Sequence, residues 1–446
     1  MWIATGVIAL AFIPTFKFPF LPFAVHMSTT VAAIGFVYLY MRGTSIRLGG
    51  LKWIFLGFIA VQVVSIIWFF AFGPDIPAIL DASLNLSRWR FTWQIAAWIL
   101  MFSVFVVIVT VVRSERDLRF AVRLLIWFGV VAVGYGAYEL TARHFGLPYL
   151  YLSIEDWRYK PTAVILIGDF WWARPYGTAG EPKELGQMLL GPLFVALGLA
   201  FTTGKIHWHL LSVLFVVGLL ATASTSAFLG GVVGSVVWMV LMITSRSLVK
   251  KRLFIGLFVG LLVLFLAASS FGSPQVRSVV GFHQLRTTNF AQDDVLITNA
   301  IAVSPAYFAG WELGWRLFKT SPVIGVGTGN SPLLSGVTDR LVTPNNLFLM
   351  LLAEIGIVGL VVFLAVILYP AWKLVLPLVS GKYRGVSVEI RGVLIGLAAA
   401  WFGVLTTYNA TGTGRLTPMS WVILGLLASA VLMLLRRSDE NLTDGE

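Results

Sequence analysis

Apolar runs recur from one end of this chain to the other, and their length leaves room for one kind of fold. Leu253 to Ser269 is continuously apolar, and Leu347 to Tyr369 is apolar apart from Glu354. Runs of roughly 17 to 25 such residues cross a hydrocarbon layer of about 30 Å as helices. Inside lipid every backbone N–H and C=O must find its partner within the segment, so an unbroken apolar run has to be helical. A membrane β-barrel would show alternating stretches of about ten residues instead. A chain of 446 residues that is 58% hydrophobic and 12% charged also cannot hide its apolar side chains in a water-soluble core. The expected fold class is all-α: a polytopic membrane protein of about twelve transmembrane helices, with two large loops on its outer side.

The expected spans are 2–13, 21–41, 53–73, 93–112, 121–142, 185–202, 208–222, 226–244, 253–271, 346–370, 392–409 and 418–435. The first is short. With no basic region ahead of it and no small-residue cleavage site, it reads as a span and not as a removed signal. Arg42, Arg47 and Lys52 fall on one side with Arg113, Arg116, Arg119 and Arg123. Arg246, Lys250, Lys251, Arg252, Lys373, Lys382 and Arg384 join them, and by the positive-inside rule that side is cytoplasmic. Both termini then lie inside. This arrangement also accounts for the net charge of +12 without nucleic acid, because the cations are scattered between spans. The chain has no cysteine, so it holds no disulfide or thiolate metal site.

The chain divides into N-terminal transmembrane helices (1–142), a first outer loop (143–184), central transmembrane helices (185–271), a large outer loop (272–345), and C-terminal transmembrane helices with a tail (346–446). Loops of this size usually carry function. In the large loop Phe308, Trp311, Trp315 and Phe318 recur at spacings of three and four, with Glu312, Arg316 and Lys319 between them. That pattern describes an amphipathic helix, lying flat on the membrane surface or packed on top of the bundle.

Charged side chains crowd the first loop just before a span: Arg174-Pro-Tyr-Gly-Thr-Ala-Gly-Glu181-Pro-Lys183-Glu184-Leu-Gly-Gln187. The cations can bind a diphosphate, since guanidinium presents a planar fork that matches phosphate oxygens. The carboxylates can take a proton. A capped helix start, with Glu181 and Glu184 at the positive end of the helix dipole, is consistent with the same residues. The large loop sets Arg277, Arg286, Arg316, Lys319 and Arg340 against Asp293, Asp294, Glu312 and Asp339. Its glycine-rich run from Pro322 to Asn330 can bring N–H groups to an anion, but it lacks the Lys-Ser/Thr that ends a nucleotide loop. Glu354 is an ionisable group within an apolar helix, costly unless paired or wet. Thr222, Ser224, Thr225 and Ser226 form a polar knot that suits either a sugar or helix packing. The five histidines are too dispersed for a metal cluster, so no metal site is expected.

Taken in order, these motifs resemble the Wzy and O-antigen ligase superfamily of bacterial surface-polysaccharide enzymes. The resemblance runs from Arg174-Pro-Tyr-Gly177 and Glu181-Pro182 through Ser224-Thr-Ser-Ala-Phe-Leu-Gly230 and Trp311 to Phe318. It continues in Pro322-Val-Ile-Gly-Val-Gly327, Asn345-Asn-Leu-Phe-Leu349 and Ala353-Glu-Ile-Gly-Ile-Val-Gly-Leu360, covering roughly residues 170–365. The departures are that ligases usually carry a histidine at Asn345, an arginine near Thr225 and another near Tyr307. Asparagine cannot act as a general base, which favours a polymerase over a ligase.

The resemblance implies an enzyme of the bacterial inner membrane whose outer loops are periplasmic. It would polymerise undecaprenyl-diphosphate-linked oligosaccharide repeat units, with a chain-length regulator or export complex as possible partner, and need no cofactor. A ligase acting on lipid A core or protein, a transporter and a non-catalytic assembly partner are the alternatives. Within that reaction the expected catalytic residues are Arg174, Glu181 and Glu354. Lys183, Arg286, Arg316, Arg340, Asn345, Asn346 and Ser224 are expected to bind substrate.

Overall fold

A computed structural model describes residues 1–12, 15–17, 24–46, 48–73, 87–148, 164–167, 170–244, 305–335, 343–344, 346–380, 386–410 and 416–443. Among them helices dominate: α1 (Trp2–Leu10), α2 (Met27–Met41), α3 (Leu51–Phe72), α4 (Ser87–Val111), α5 (Glu115–Phe145), α6 (Pro182–Thr203), α7 (Ile206–Ala221), α8 (Thr225–Thr244), α9 (Pro305–Thr320), α10 (Leu347–Ser380), α11 (Val388–Ala410) and α12 (Pro418–Thr443). Eight of these are long and apolar enough to cross a membrane, while α2 and α7 are shorter apolar helices. The first expected span is realised only as α1, whose nine residues rise about 14 Å and fall short of a crossing. The ninth, 253–271, lies outside the described residues.

Two short antiparallel hairpins lie in the connections of this all-α fold. One pairs β1 (Thr15–Lys17) with β2 (Ala24–His26), and the other pairs β3 (Val164–Ile167) with β4 (Phe170–Ala173). The second hairpin delivers the chain directly into Arg174.

Lipid offers apolar side chains no gain from leaving it, so helices in a membrane associate where small residues let backbones approach. Here α6, α8 and α11 form such a centre. A Cβ on Gly198 would strike the carbonyl of Gly392, and one on Gly230 would come within 2.6 Å of the carbonyl of Gly403. An aromatic cluster joins the other helices: Phe58 of α3 meets Trp98 of α4 edge-on at 5.2 Å, Phe363 of α10 lies 5.4 Å from Phe58, and Trp98 reaches Trp421 of α12 at 6.5 Å. Large apolar side chains such as Ile67, Trp127, Val213 and Val361 point outward, as a lipid-facing surface requires.

The basic connections gather at one end of the bundle. Arg113 donates to the carbonyl of Ser45 at 3.2 Å, linking the α4–α5 turn to the α2–α3 turn. Arg119 pairs with Glu389 at the start of α11 at 3.1 Å, and a shared cavity joins Arg123, Thr203, Lys205 and Glu389. At this end α5 is started by a reciprocal cap, with Ser114 accepting from the N–H of Asp117 and the Asp117 carboxylate accepting from the N–H of Ser114. The hairpins, the α7–α8 joint and α9 belong to the opposite end.

The amphipathic helix of the large loop is present as α9, packed against α10. Leu313, Gly314 and Leu317 pack inward, with Gly314 against Leu349 of α10 and with Leu313 and Leu317 beside Val326 and Ala353. Trp311 and Trp315 turn outward, 44% and 49% exposed. Two leucines fill the bundle-side contact better than bulky indoles, which suit the polar–apolar boundary.

Candidate active site

Glu139 and Arg143 stand four residues apart on the last turns of α5, so both side chains share one face. They form an ion pair, and Glu139 is buried. The other carboxylate oxygen of Glu139 accepts the backbone N–H groups of Tyr176 and Gly177, both at 2.8 Å. Arg143 lies 4.8 Å above the ring of Tyr176. The turn Arg174-Pro-Tyr-Gly177 is thereby clamped to α5 by charge, hydrogen bonds and stacking together. Gly177 has φ +56, and a Cβ there would lie 2.9 Å from Leu185. The turn therefore needs glycine at that position.

Held this way, Arg174 is 93% buried and donates Nε–H to the carbonyl of Thr222 at 2.8 Å. Thr222 sits at the joint between α7 and α8, where Ala223 takes φ +45, a left-handed conformation unusual for a residue with a Cβ. Ser224 accepts from the N–H of Ala227 at 3.4 Å and lies 3.2 Å from the Ser226 hydroxyl, so it caps α8. Gly186 of α6 fits against this joint, since a Cβ there would lie 2.6 Å from Ala227 and 2.9 Å from the Thr222 hydroxyl.

Glu181 precedes α6 and pairs with Lys183 at 2.8 Å, both partly exposed. One turn on is the buried Gln187, and at this end the hydroxyl of Tyr408 meets Ser420 at 2.8 Å and Thr417 at 3.1 Å. Next to Tyr408, the Asn409 carbonyl accepts from the amide of Asn346 at 2.9 Å. Asn346 in turn caps α10 by accepting the N–H of Leu349 at 3.0 Å. The structure thus brings Arg174, Glu181, Lys183, Ser224 and Asn346 to one end of the bundle, where α5, α6, α8, α10 and α11 meet. Among the described residues, Thr178 Oγ1 and Gln187 Nε2 are buried there without a hydrogen-bond partner.

Glu354 has a different setting. Its carboxylate accepts from the N–H of Gly329 at 2.8 Å and the hydroxyl of Ser331 at 2.6 Å. Its carbonyl accepts from Gly327 at 2.9 Å and Ser65 at 2.7 Å. Helix α10 breaks at Gly356, φ +65, and the freed N–H of Ile357 bonds Pro322 at 2.9 Å. The glycine-rich run wraps a carboxyl group of the chain itself, that of Glu354. Arg316, exposed on α9, lines a separate groove of about 680 Å³ with Trp68, Phe72, Thr320, Pro322 and Leu334. Arg286, Arg340 and Asn345 lie outside the described residues.

Sequence reasoning gave no role to Glu139, Arg143 or Tyr408. A carboxylate inside an apolar helix four residues before an arginine was a usable signal for the first two. Nothing local marks Tyr408.

Residues 210–364, from α7 to the middle of α10, match the family model described as O-antigen ligase. This match supports membership of the Wzy and O-antigen ligase superfamily. No curated protein is significantly similar to the chain. The superfamily segment contains Ser224, Arg316, Asn346 and Glu354, while the clamped Arg174 turn precedes it. A membrane enzyme of glycan metabolism is the function class the family supports.

Proposed function

We infer that the chain is a polymerase of undecaprenyl-diphosphate-linked oligosaccharide repeat units, working by glycosyl transfer at the end of the bundle opposite its basic turns. With that basic end in the cytoplasm, the reaction takes place on the periplasmic face of the bacterial inner membrane. The observation that carries this reading is the buried, clamped guanidinium of Arg174 at the same end of the bundle as the partly exposed pair Glu181 and Lys183.

In the reaction a sugar hydroxyl oxygen bonds to the anomeric carbon of another chain as the bond from that carbon to the diphosphate oxygen breaks. The hydroxyl's proton passes to a base, and undecaprenyl diphosphate leaves with the bonding electron pair. Negative charge grows on the leaving group, so a cation already fixed in place lowers the barrier most. Arg174 supplies it, with Lys183 as a second charge. Glu181 takes the proton, because Glu354 is engaged by Gly329 and Ser331 in holding the glycine-rich turn. Thr178 and Gln187 offer buried polar groups to sugar hydroxyls.

A ligase is the second reading, favoured by the description of the matching family. Asn345, where ligases usually carry histidine, weighs against it. Purified protein given a lipid-diphosphate oligosaccharide is expected to yield longer glycans and free undecaprenyl diphosphate. Transfer to lipid A core without lengthening would replace polymerase by ligase, and no transfer at all would end both.

A further inference from the structure

At the opposite end of the bundle is a cavity of about 430 Å³ that the glycosyl-transfer reading does not use. Its rim carries Arg123 from α5 and Lys205, with His207, from the turn into α7. Its wall is apolar, made by Ile126, Val130 and Leu211, with Trp127 exposed beside them. Arg123, Ile126, Trp127 and Val130 recur at three- and four-residue intervals, so one stripe of α5 runs from a cation down into lipid-facing surface. The carboxylate lining the cavity, Glu389, is held by Arg119 at 3.1 Å, and among the described residues no ion pair engages Arg123 or Lys205. Lys205 also precedes an α7 start with no side-chain cap, so the first amides of α7 add to the positive potential. A second cavity, lined by Arg116, Arg119, Phe120 and Arg123, adjoins the first through Arg123.

Cations above an apolar wall that runs on to the exposed Trp127 match a ligand with an anion at one end and a hydrocarbon chain below it. A soluble anion would use the rim and leave the wall idle. We propose that this groove binds an anionic glycerophospholipid, with its phosphate between Arg123 and Lys205 and an acyl chain along Ile126, Val130 and Leu211. The site stands whether or not the chain transfers glycans.

The full-length protein in mild detergent, mixed with phosphatidylglycerol or phosphatidylcholine and read by native mass spectrometry, tests it. Phosphatidylglycerol should be retained preferentially. Retention should fall about fivefold for each cation removed in Arg123→Gln and Lys205→Gln, singly and together. Both side chains are exposed, so the variants should keep the parent's melting temperature; if the pair does not, Lys205→Gln alone carries the test. Equal retention of the two lipids, or undiminished phosphatidylglycerol in the variants, overturns the proposal. Displacement of the lipid by inorganic phosphate at equal concentration also overturns it, because the site would then be one for a free anion.

Discussion

Arg174 donates Nε–H to the carbonyl of Thr222 at 2.8 Å, across 48 residues of sequence. The bond ties the turn before α6 to the joint between α7 and α8 and fixes where the guanidinium points. Arg174→Ala should lower glycosyl transfer by about a hundredfold or more, the usual cost of losing a fixed charge-stabilising donor. Arg174→Lys should restore only part, because an ammonium cannot hold Thr222 through Nε and keep a planar fork for phosphate. Product length on gels, with membrane insertion checked in parallel, reads the outcome. Normal polymer from Arg174→Ala would remove this residue from the site.

The clamp on α5 should matter nearly as much. Glu139→Ala strands the mostly buried Arg143 without its carboxylate and removes the acceptor for two backbone N–H groups. Breaking a buried pair in this way costs about 3–5 kcal/mol. Glu139→Gln keeps an acceptor for the turn and should lose less stability, while still lowering the maximal rate because Arg174 is less firmly aimed. A Gln variant with full rate and a lowered melting temperature would make Glu139 a stability residue only.

Glu354→Ala is expected to lower the thermal midpoint in detergent, since it leaves Gly329 and Ser331 without their buried acceptor, at about 1–3 kcal/mol for each. Glu354→Gln keeps one acceptor and should retain most activity below its melting temperature. If Glu354→Gln is fully stable yet inactive, the proton-acceptor role belongs to Glu354 and not to Glu181.

The glycine contacts between α6 and α11 give a packing test. Gly198→Ala drives a methyl into the carbonyl of Gly392 and should cost about 1–3 kcal/mol, with lower yield of folded protein. Gly134→Ala, where a Cβ meets nothing within 4 Å, should be neutral or slightly stabilising. Comparable losses at both positions would mean that close helix approach is not what Gly198 provides.

Much of this architecture was legible in the chain itself. Unbroken apolar runs can satisfy their backbone only as helices in lipid, so the spans realised as α3 to α6, α8 and α10 to α12 followed from composition and length. The cations at the ends of α2, α4 and α6 share one end because charged side chains stay out of hydrocarbon whatever the packing. Arg174, Glu181 and Lys183 stood out because ionised groups and chain-bending residues rarely crowd the edge of a span without cause.

Other features depended on contacts between distant segments, which no local pattern encodes. That Glu354 fills the glycine-rich turn depends on α10 breaking at Gly356. Which face of α9 turns inward was decided by Leu313 and Leu317 fitting α10, although its spacing alone allowed the tryptophans. The clamp of Glu139 and Arg143 on the Arg174 turn exists only because α5 ends where that turn returns to the bundle. Sequence determined which segments are apolar and long enough to cross a membrane as helices, through the cost of unsatisfied backbone and buried charge. Tertiary structure decided which polar groups meet at the bundle's end, because a hydrogen bond is fixed by position in space and not by distance along the chain.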